Sequence, residues 1–149
     1  GSATQATPLF FTSGDAHVGA DANVVASAYT NSFSGALSTQ LYGIDTGLDV
    51  LVTQANSAGT LQTVGSLGVD LGDTVGFDIS GSTGIGYAAV EDTTLSRTTF
   101  WRIDLATGAA TQIGEVGGGG VLTSIALVPT PGSVAVLGLA GLLSVRRRR

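Results

Sequence analysis

His17 is the single histidine of the chain, with Asp15 two residues before it and Ser13 four before it. An imidazole titrates near neutrality when unperturbed, so this group, with Ser13 or Ser27 supplying the hydroxyl, is the candidate for Ser/His/Asp chemistry. A nucleophile of that kind commonly sits in a G-x-S-x-G turn, and the sequence contains none. A lone histidine among Gly, Asp and Ala is expected to be a loop residue, so the chain is predicted not to be an enzyme. Asp15, Asp21 and Asn23 make the same segment rich in oxygen ligands, a composition suited to Ca²⁺. Their spacing is not that of an EF-hand loop, and neither is that of Asp70-Leu71-Gly72-Asp73. Aspartates before glycine-rich turns more often shape the turn through side-chain to backbone bonds. Ca²⁺ at Asp15, Asp21 and Asn23 is therefore the one cofactor the sequence raises.

Other groups offer less. Glu91 and Asp92 are adjacent, so on a strand they point to opposite faces and make no glycosidase pair unless Glu115 joins one of them in space. Phe77, Tyr87, Phe100 and Trp101 lie in strand-like runs and are expected to fill the interface between sheets. Because Phe100 and Trp101 are neighbours, one of them is free to face solvent or stack under Arg102, and that is where a glycan would bind. Gly117 to Gly120 reads as a flexible loop, since no lysine accompanies it to hold phosphate. No Asn-x-Ser/Thr site occurs: Asn31 and Asn56 are followed by Ser-Phe and Ser-Ala.

Composition removes whole classes of function. Among 149 residues there are six basic side chains, all arginine, and eleven acidic ones. Four of the arginines are the last four residues, so the body carries two cations against eleven anions, a balance of -9. Such a surface does not bind nucleic acid or anionic lipid, which need clustered Lys or Arg to displace counterions. Without lysine and cysteine there is no Schiff-base lysine, Walker lysine, thiol nucleophile, cysteine-zinc site or disulfide. There is also no methionine, so the chain is expected to be a fragment or a processed form, with Gly1-Ser2 as a cloning remnant. Absence of cysteine leaves export open.

The elements that would position these groups repeat. Gly59-Thr60-Leu61-Gln62-Thr63-Val64-Gly65 returns 49 residues later as Gly108-Ala109-Ala110-Thr111-Gln112-Ile113-Gly114. The same step carries Leu51-Val52 onto Phe100-Trp101 and residues 26–29 onto 75–78; a further one carries 75–77 onto 124–126. Each unit holds four short runs of strand composition separated by turn residues. In the first they are 24–30, 41–45, 50–54 and 60–64; in the second 75–79, 85–90, 98–104 and 110–116. Residues 122–128 are expected to open a third unit, and 9–12 to close a preceding one. Four antiparallel strands per repeat make a propeller blade, and two blades are too few to close a ring. The predicted fold is therefore all-β: a partial β-propeller over residues 3–128, the C-terminal part of a larger one, with a β-sandwich as the alternative.

From Val128 the character changes. Pro129-Thr130-Pro131-Gly132-Ser133 leads into the apolar run Val134 to Val145, then Arg146, Arg147, Arg148 and Arg149. From Gly132 the run has 14 residues, roughly 21 Å of helix against the roughly 30 Å core of a bilayer. The arginines fit a stop-transfer cluster with the C-terminus in the cytoplasm and the body outside.

A short proline motif, a short hydrophobic helix and a terminal arginine cluster, in that order, resemble the PEP-CTERM sorting signal of exosortase systems in Gram-negative bacteria and planctomycetes. The resemblance implies an exosortase-type membrane protease as transient partner, processing near Pro129, Thr130, Pro131 and Gly132, with Arg146 to Arg149 as the membrane stop. Thr130 stands where that signal usually has Glu. The body resembles the DUF4394 family of bacterial extracytoplasmic proteins, through residues 14–23, Ala28-Tyr29-Thr30-Asn31-Ser32, Leu41-Tyr42-Gly43-Ile44-Asp45, the 59–65 motif and Gly76-Phe77-Asp78-Ile79. The family's N-terminal half is not visible, in keeping with a chain that lacks upstream blades.

The expected function is accordingly that of a non-enzymatic structural or binding module. It passes through an inner-membrane intermediate to the cell surface or the extracellular matrix, where a glycan or matrix component is its partner. The competing expectation is a secreted polysaccharide hydrolase whose carboxylates Asp45, Asp78, Asp104 and Glu115 converge in one pocket.

Overall fold

The computed structural model describes residues 7–55 and 58–128. The proline motif, the run Val134 to Val145 and the four terminal arginines lie outside the described residues. Nine strands run in order: β1 (Phe10–Phe11), β2 (Val24–Tyr29), β3 (Leu41–Asp45), β4 (Val50–Gln54), β5 (Thr60–Ser66), β6 (Val75–Ile79), β7 (Gly86–Asp92), β8 (Arg97–Ile103) and β9 (Ala110–Glu115). They form a five-stranded sheet, β1-β5-β4-β3-β2, and a four-stranded sheet, β6-β7-β8-β9. Among the described residues there is no helix, and the sheets do not close into a barrel.

The two sheets are the two repeats. In each, four successive strands pair antiparallel with their sequence neighbours. A register shift between Leu51 and Val52 recurs between Phe100 and Trp101, the positions the 49-residue step equates. The hydrogen bonds beside it recur as well: Leu67 N to Asp49 O and Val116 N to Thr98 O, then Ala55 N to Thr60 O and Asp104 N to Ala109 O. The inner hairpins share one turn. Asp45 accepts from the amides of Gly47 and Leu48, Asp92 accepts from those of Thr94 and Leu95, and Asp49 and Ser96 close the turns at φ 53 and φ 50. Short polar side chains tolerate that left-handed conformation and stabilise it locally.

Strand alternation then decides what is buried. One face of the first sheet, with Ala28, Ile44 and Leu51, packs on Val75, Phe77, Ile79, Ala88, Val90 and Ile103 of the second, and Leu67 and Leu71 of the connecting segment seal the layer. The first sheet's other face carries Val50, Val52 and Leu61 under Phe11, with Leu9, Ala20, Ala22 and Val24 around them. The sheets approach to backbone contact at Gly65, where an added Cβ would collide with the carbonyl of Thr107, and Ala110 N donates to Leu67 O at 2.9 Å.

Two expected elements differ. Residues 9–12 do not close a separate unit: β1 adds to the outer edge of the first sheet, parallel to β5. Residues 121–128 form no ladder strand; they run as a strap across the second sheet's outer face. There Ser124 lies on Gly76, and the amides of Leu122 and Leu127 donate to Thr98 Oγ1 (2.8 Å) and Asp78 Oδ2 (2.6 Å). Side-chain acceptors replace the backbone partner a strand would need.

The close approach is testable against its own repeat. Gly65→Ala is expected to lower unfolding free energy by at least ~2 kcal/mol in urea titration, as overpacking against backbone does. Gly114→Ala, at the equivalent place in the second sheet with nothing within 4 Å of an added Cβ, is expected to cost less than ~1 kcal/mol.

Candidate functional site

The residues singled out from sequence meet in three places. Around His17, the β1–β2 loop folds onto β5. Asp15 Oδ2 accepts from Thr63 N (2.6 Å), and Oδ1 accepts from Thr63 Oγ1 (2.8 Å) and from His17 N (2.9 Å). His17 Nδ1 lies 2.9 Å from the same Thr63 hydroxyl and 3.8 Å from Asp15 Oδ1, and its ring tilts against Phe11 at 5.6 Å. A hydroxyl has one proton, and Thr63 gives it to Asp15, so the imidazole must donate through Nδ1–H. In a hydrolase triad the imidazole sits between carboxylate and hydroxyl and takes the hydroxyl's proton. Here the hydroxyl sits between carboxylate and imidazole, so Thr63 is not activated, and the three groups act as a clasp that holds the loop down.

Burial raises the Asp15 carboxyl, but the amides of Thr63 and His17, the Thr63 hydroxyl and the His17 ring together outweigh it and leave the pKa below its ordinary 3.8. Both carboxylate oxygens are thus engaged by protein donors. Asn23 is engaged elsewhere: its Nδ2 bridges Thr46 Oγ1 (3.1 Å) and Asp73 Oδ1 (3.0 Å), and its backbone amide donates to Asp45. Asp21 is exposed. Asp15 and Asn23 therefore serve different networks, and among the described residues no group of three or more His, Asp or Glu side chains is arranged to hold a metal ion.

The second place is the β3–β4 turn. Asp45 is fully buried and bonded to three backbone amides, those of Asn23, Gly47 and Leu48, each at 3.0 Å. Beside it Asp49 Oδ1 is buried with no hydrogen-bond partner among the described residues. Burial, then the charges of Asp70 and Asp45, raises the Asp49 pKa above 3.8. The other carboxylates of the convergence test are scattered. Asp78 bonds Ile79 N and Leu127 N, Asp104 caps Ala106 N, and Glu115 pairs with Arg97 at 2.8 Å on the surface.

The third place is a cleft of about 390 Å³ beside the C-terminal end of β7 and the middle of β8 and β9, lined by Asp70, Glu91, Asp92, Thr93, Trp101 and Gln112, among others. Strand alternation separates Phe100 from Trp101 as expected, but it takes Tyr87 and Phe100 out of the interface between the sheets, where Phe77 and Trp101 do lie. Phe100 stacks on Tyr87 on the outer face, with centroids 5.6 Å apart and planes 9° apart, while half-buried Trp101 turns to the core side and this cleft. Sequence reasoning did not find Thr63 or Gln112, although both sit inside the repeated motif at equivalent positions. A further polar cleft of about 360 Å³, lined by Thr12, Gln40, Thr53, Gln54, Thr60 and Gln62 among others, contains no titratable or aromatic side chain.

Repeated units of four antiparallel strands, with acidic side chains spent on turns and a strap, define an all-β repeat protein. The family described as "Domain of unknown function (DUF4394)" matches residues 1–126, and the chain belongs to it. No curated protein and no solved structure matches.

Two carboxylates should answer pH oppositely. Asp15 has a lowered pKa, so its stabilisation is present above 3.8 and is lost as pH falls through the lower folded value. Asp15→Asn is expected to cost ~1–3 kcal/mol at pH 7, the gap to wild type closing in acid below pH ~4. Asp49 has a raised pKa, so its ionised form costs stability at neutral pH. Asp49→Asn keeps a side chain suited to φ 53 and removes the charge, so the melting temperature should rise at pH 7 and the gain should fade in acid.

Proposed function

We propose that this chain is an exported, non-enzymatic β-repeat module of the bacterial cell surface or extracellular matrix, delivered by a PEP-CTERM-like tail at residues 129–149. The observation that carries the non-enzymatic part is the dispersal of Asp45, Asp78, Asp104 and Glu115, each occupied by its own turn, strap or ion pair. A general acid and its partner must face one substrate across a fixed gap, and these four do not share a cleft. The finer architecture is a partial propeller. Its support is the recurring register shift and the strap at 121–128, which lies on the second sheet where the repeat step would put the first strand of a third unit.

The tail reading rests on sequence order alone: proline motif, short apolar run, four arginines. It parks the chain in the inner membrane, exposes Pro129 to Gly132 to an exosortase-type protease, and leaves an acidic body outside to meet a glycan or matrix partner. Among the described residues no helix is long and apolar enough to cross a membrane. The competing hydrolase reading draws on Asp70, Glu91 and Asp92 sharing the cleft with Trp101. Against it, Asp92 Oδ1 is held by the amides of Thr94 and Leu95.

A reporter fused to residues 129–149 and expressed in an exosortase-bearing host is expected to fractionate with the membrane and then be cut near Pro129 to Gly132. Replacing Arg146 to Arg149 with serine should abolish retention. A fusion that stays soluble and intact in cells with and without the exosortase would defeat the sorting proposal.

A further inference from the structure

We propose that the Trp101 cleft binds an uncharged glycan chain. This rests on the non-enzymatic binding-module reading and locates where that module would meet its partner. The repeat itself singles out the place. Val52 and Thr63 of the first sheet correspond to Trp101 and Gln112 of the second. In the first sheet the loop ahead of β2 covers this corner and seats His17 and Asp15 on Thr63. That loop runs from 12 to 23, whereas its counterpart ahead of β6 runs only from 67 to 74. With four fewer residues the second loop reaches the core through Leu67 and Leu71, and the corner above Trp101 and Gln112 stays open as the cleft.

The chemistry of the opening selects its ligand. The Trp101 Nε1–H is spent on Thr99 Oγ1 at 2.8 Å, and that hydroxyl donates onward to Val90 O at 3.2 Å. The indole therefore offers the cleft an apolar ring, already locked in place, which lowers the ordering cost of binding. Around it stand Gln112, Thr93, Glu91 and Asp70, all able to bond hydroxyl groups. An apolar plane with a hydrogen-bonding rim complements a pyranose, which has a C–H face and an equator of hydroxyls. A purely apolar ligand would leave the rim unpaired. An acidic glycan would meet three carboxylates and no cation in the lining, a like-charge juxtaposition that selects against it. The volume of about 390 Å³ is within the ordinary range of small-ligand sites.

Because Trp101 is the only tryptophan of the chain, fluorescence excited at the red edge, beyond the absorption of the three tyrosines, reports on this cleft alone. The whole chain would be titrated with cellohexaose, maltohexaose and the hexamer of N-acetylglucosamine, and separately with hexagalacturonate. At least one uncharged hexamer is expected to change Trp101 emission saturably, with a Kd between about 10 μM and 1 mM, while hexagalacturonate leaves it unchanged. Gln112→Ala and Glu91→Gln, whose urea midpoints should match wild type, are each expected to weaken binding about fivefold or more. The proposal falls if no uncharged hexamer changes the emission up to about 10 mM, if hexagalacturonate binds as tightly, or if both variants bind like wild type. Chromatography of the incubated hexamers separates the two proposals: cleavage products would sink the non-enzymatic reading while leaving the cleft as the binding site.

Discussion

A chain with two basic side chains in its body has to satisfy its carboxylates without salt bridges, and the fold is organised around that constraint. Asp45 shows the extreme form, a fully buried carboxylate whose partners are three backbone amides. Charge-assisted bonds of this kind are about twice as strong as neutral ones, so a buried anion can be held by main chain alone. The same device recurs at Asp15, Asp70, Asp78, Asp92 and Asp104, each of which accepts a backbone N–H. Where donors run out the cost appears, as at Asp49. Arg97 with Glu115 uses an opposite charge instead, at an exposed site, where such a pair contributes little.

These bonds also determine which groups remain for function. Asp15 ties a loop to β5, Asp45 closes a turn on Asn23, and Asp78 fastens the strap, so the acidic character that first suggested chemistry is mostly consumed by architecture. Asn23 makes the point from the amide side, since one side chain joins the β3–β4 turn to the loop ahead of β6 through Thr46 and Asp73. Catalytic carboxylates need a free oxygen facing a shared substrate. Bonds to main-chain donors in separate turns oppose that, whatever the residues' spacing in sequence.

Much of the fold was legible because the repeat imposes period and register together. Seven residues of shared pattern at 59–65 and 108–114 placed β5 and β9, and the equivalence of Leu51-Val52 with Phe100-Trp101 marked the common register shift. The step is not uniform, however. Ile44 pairs with Leu51 and Ala89 with Phe100, so β3 maps onto β7 at 45 residues while β4 maps onto β8 at 49, because the second hairpin is longer by two residues on each arm. The clasp was not legible: Thr63 bonds Asp15 from 48 residues away, and no local pattern encodes a contact of that range. Nor was the edge position of β1, since two residues carry no alternation that would reveal a parallel partner.

The repeat also explains why equivalent corners have different fates. Strand positions are set by ladder hydrogen bonds and buried side chains, which tolerate little change, whereas connecting loops vary in length at small entropic cost. In the first sheet Phe11 of β1 and Ala20 and Ala22 of the longer loop lie over Val52 and Leu61, and the clasp locks the arrangement. In the second, Trp101 replaces Val52 and fills by bulk what the shorter loop cannot, with its ring anchored to Thr99 rather than covered. The larger side chain and the shorter loop compensate each other in packing, but imperfectly, because a rigid ring cannot fill the space a loop would have taken. What is left over is a recess with one aromatic wall and a polar rim, produced by the same scaffold that closes its counterpart.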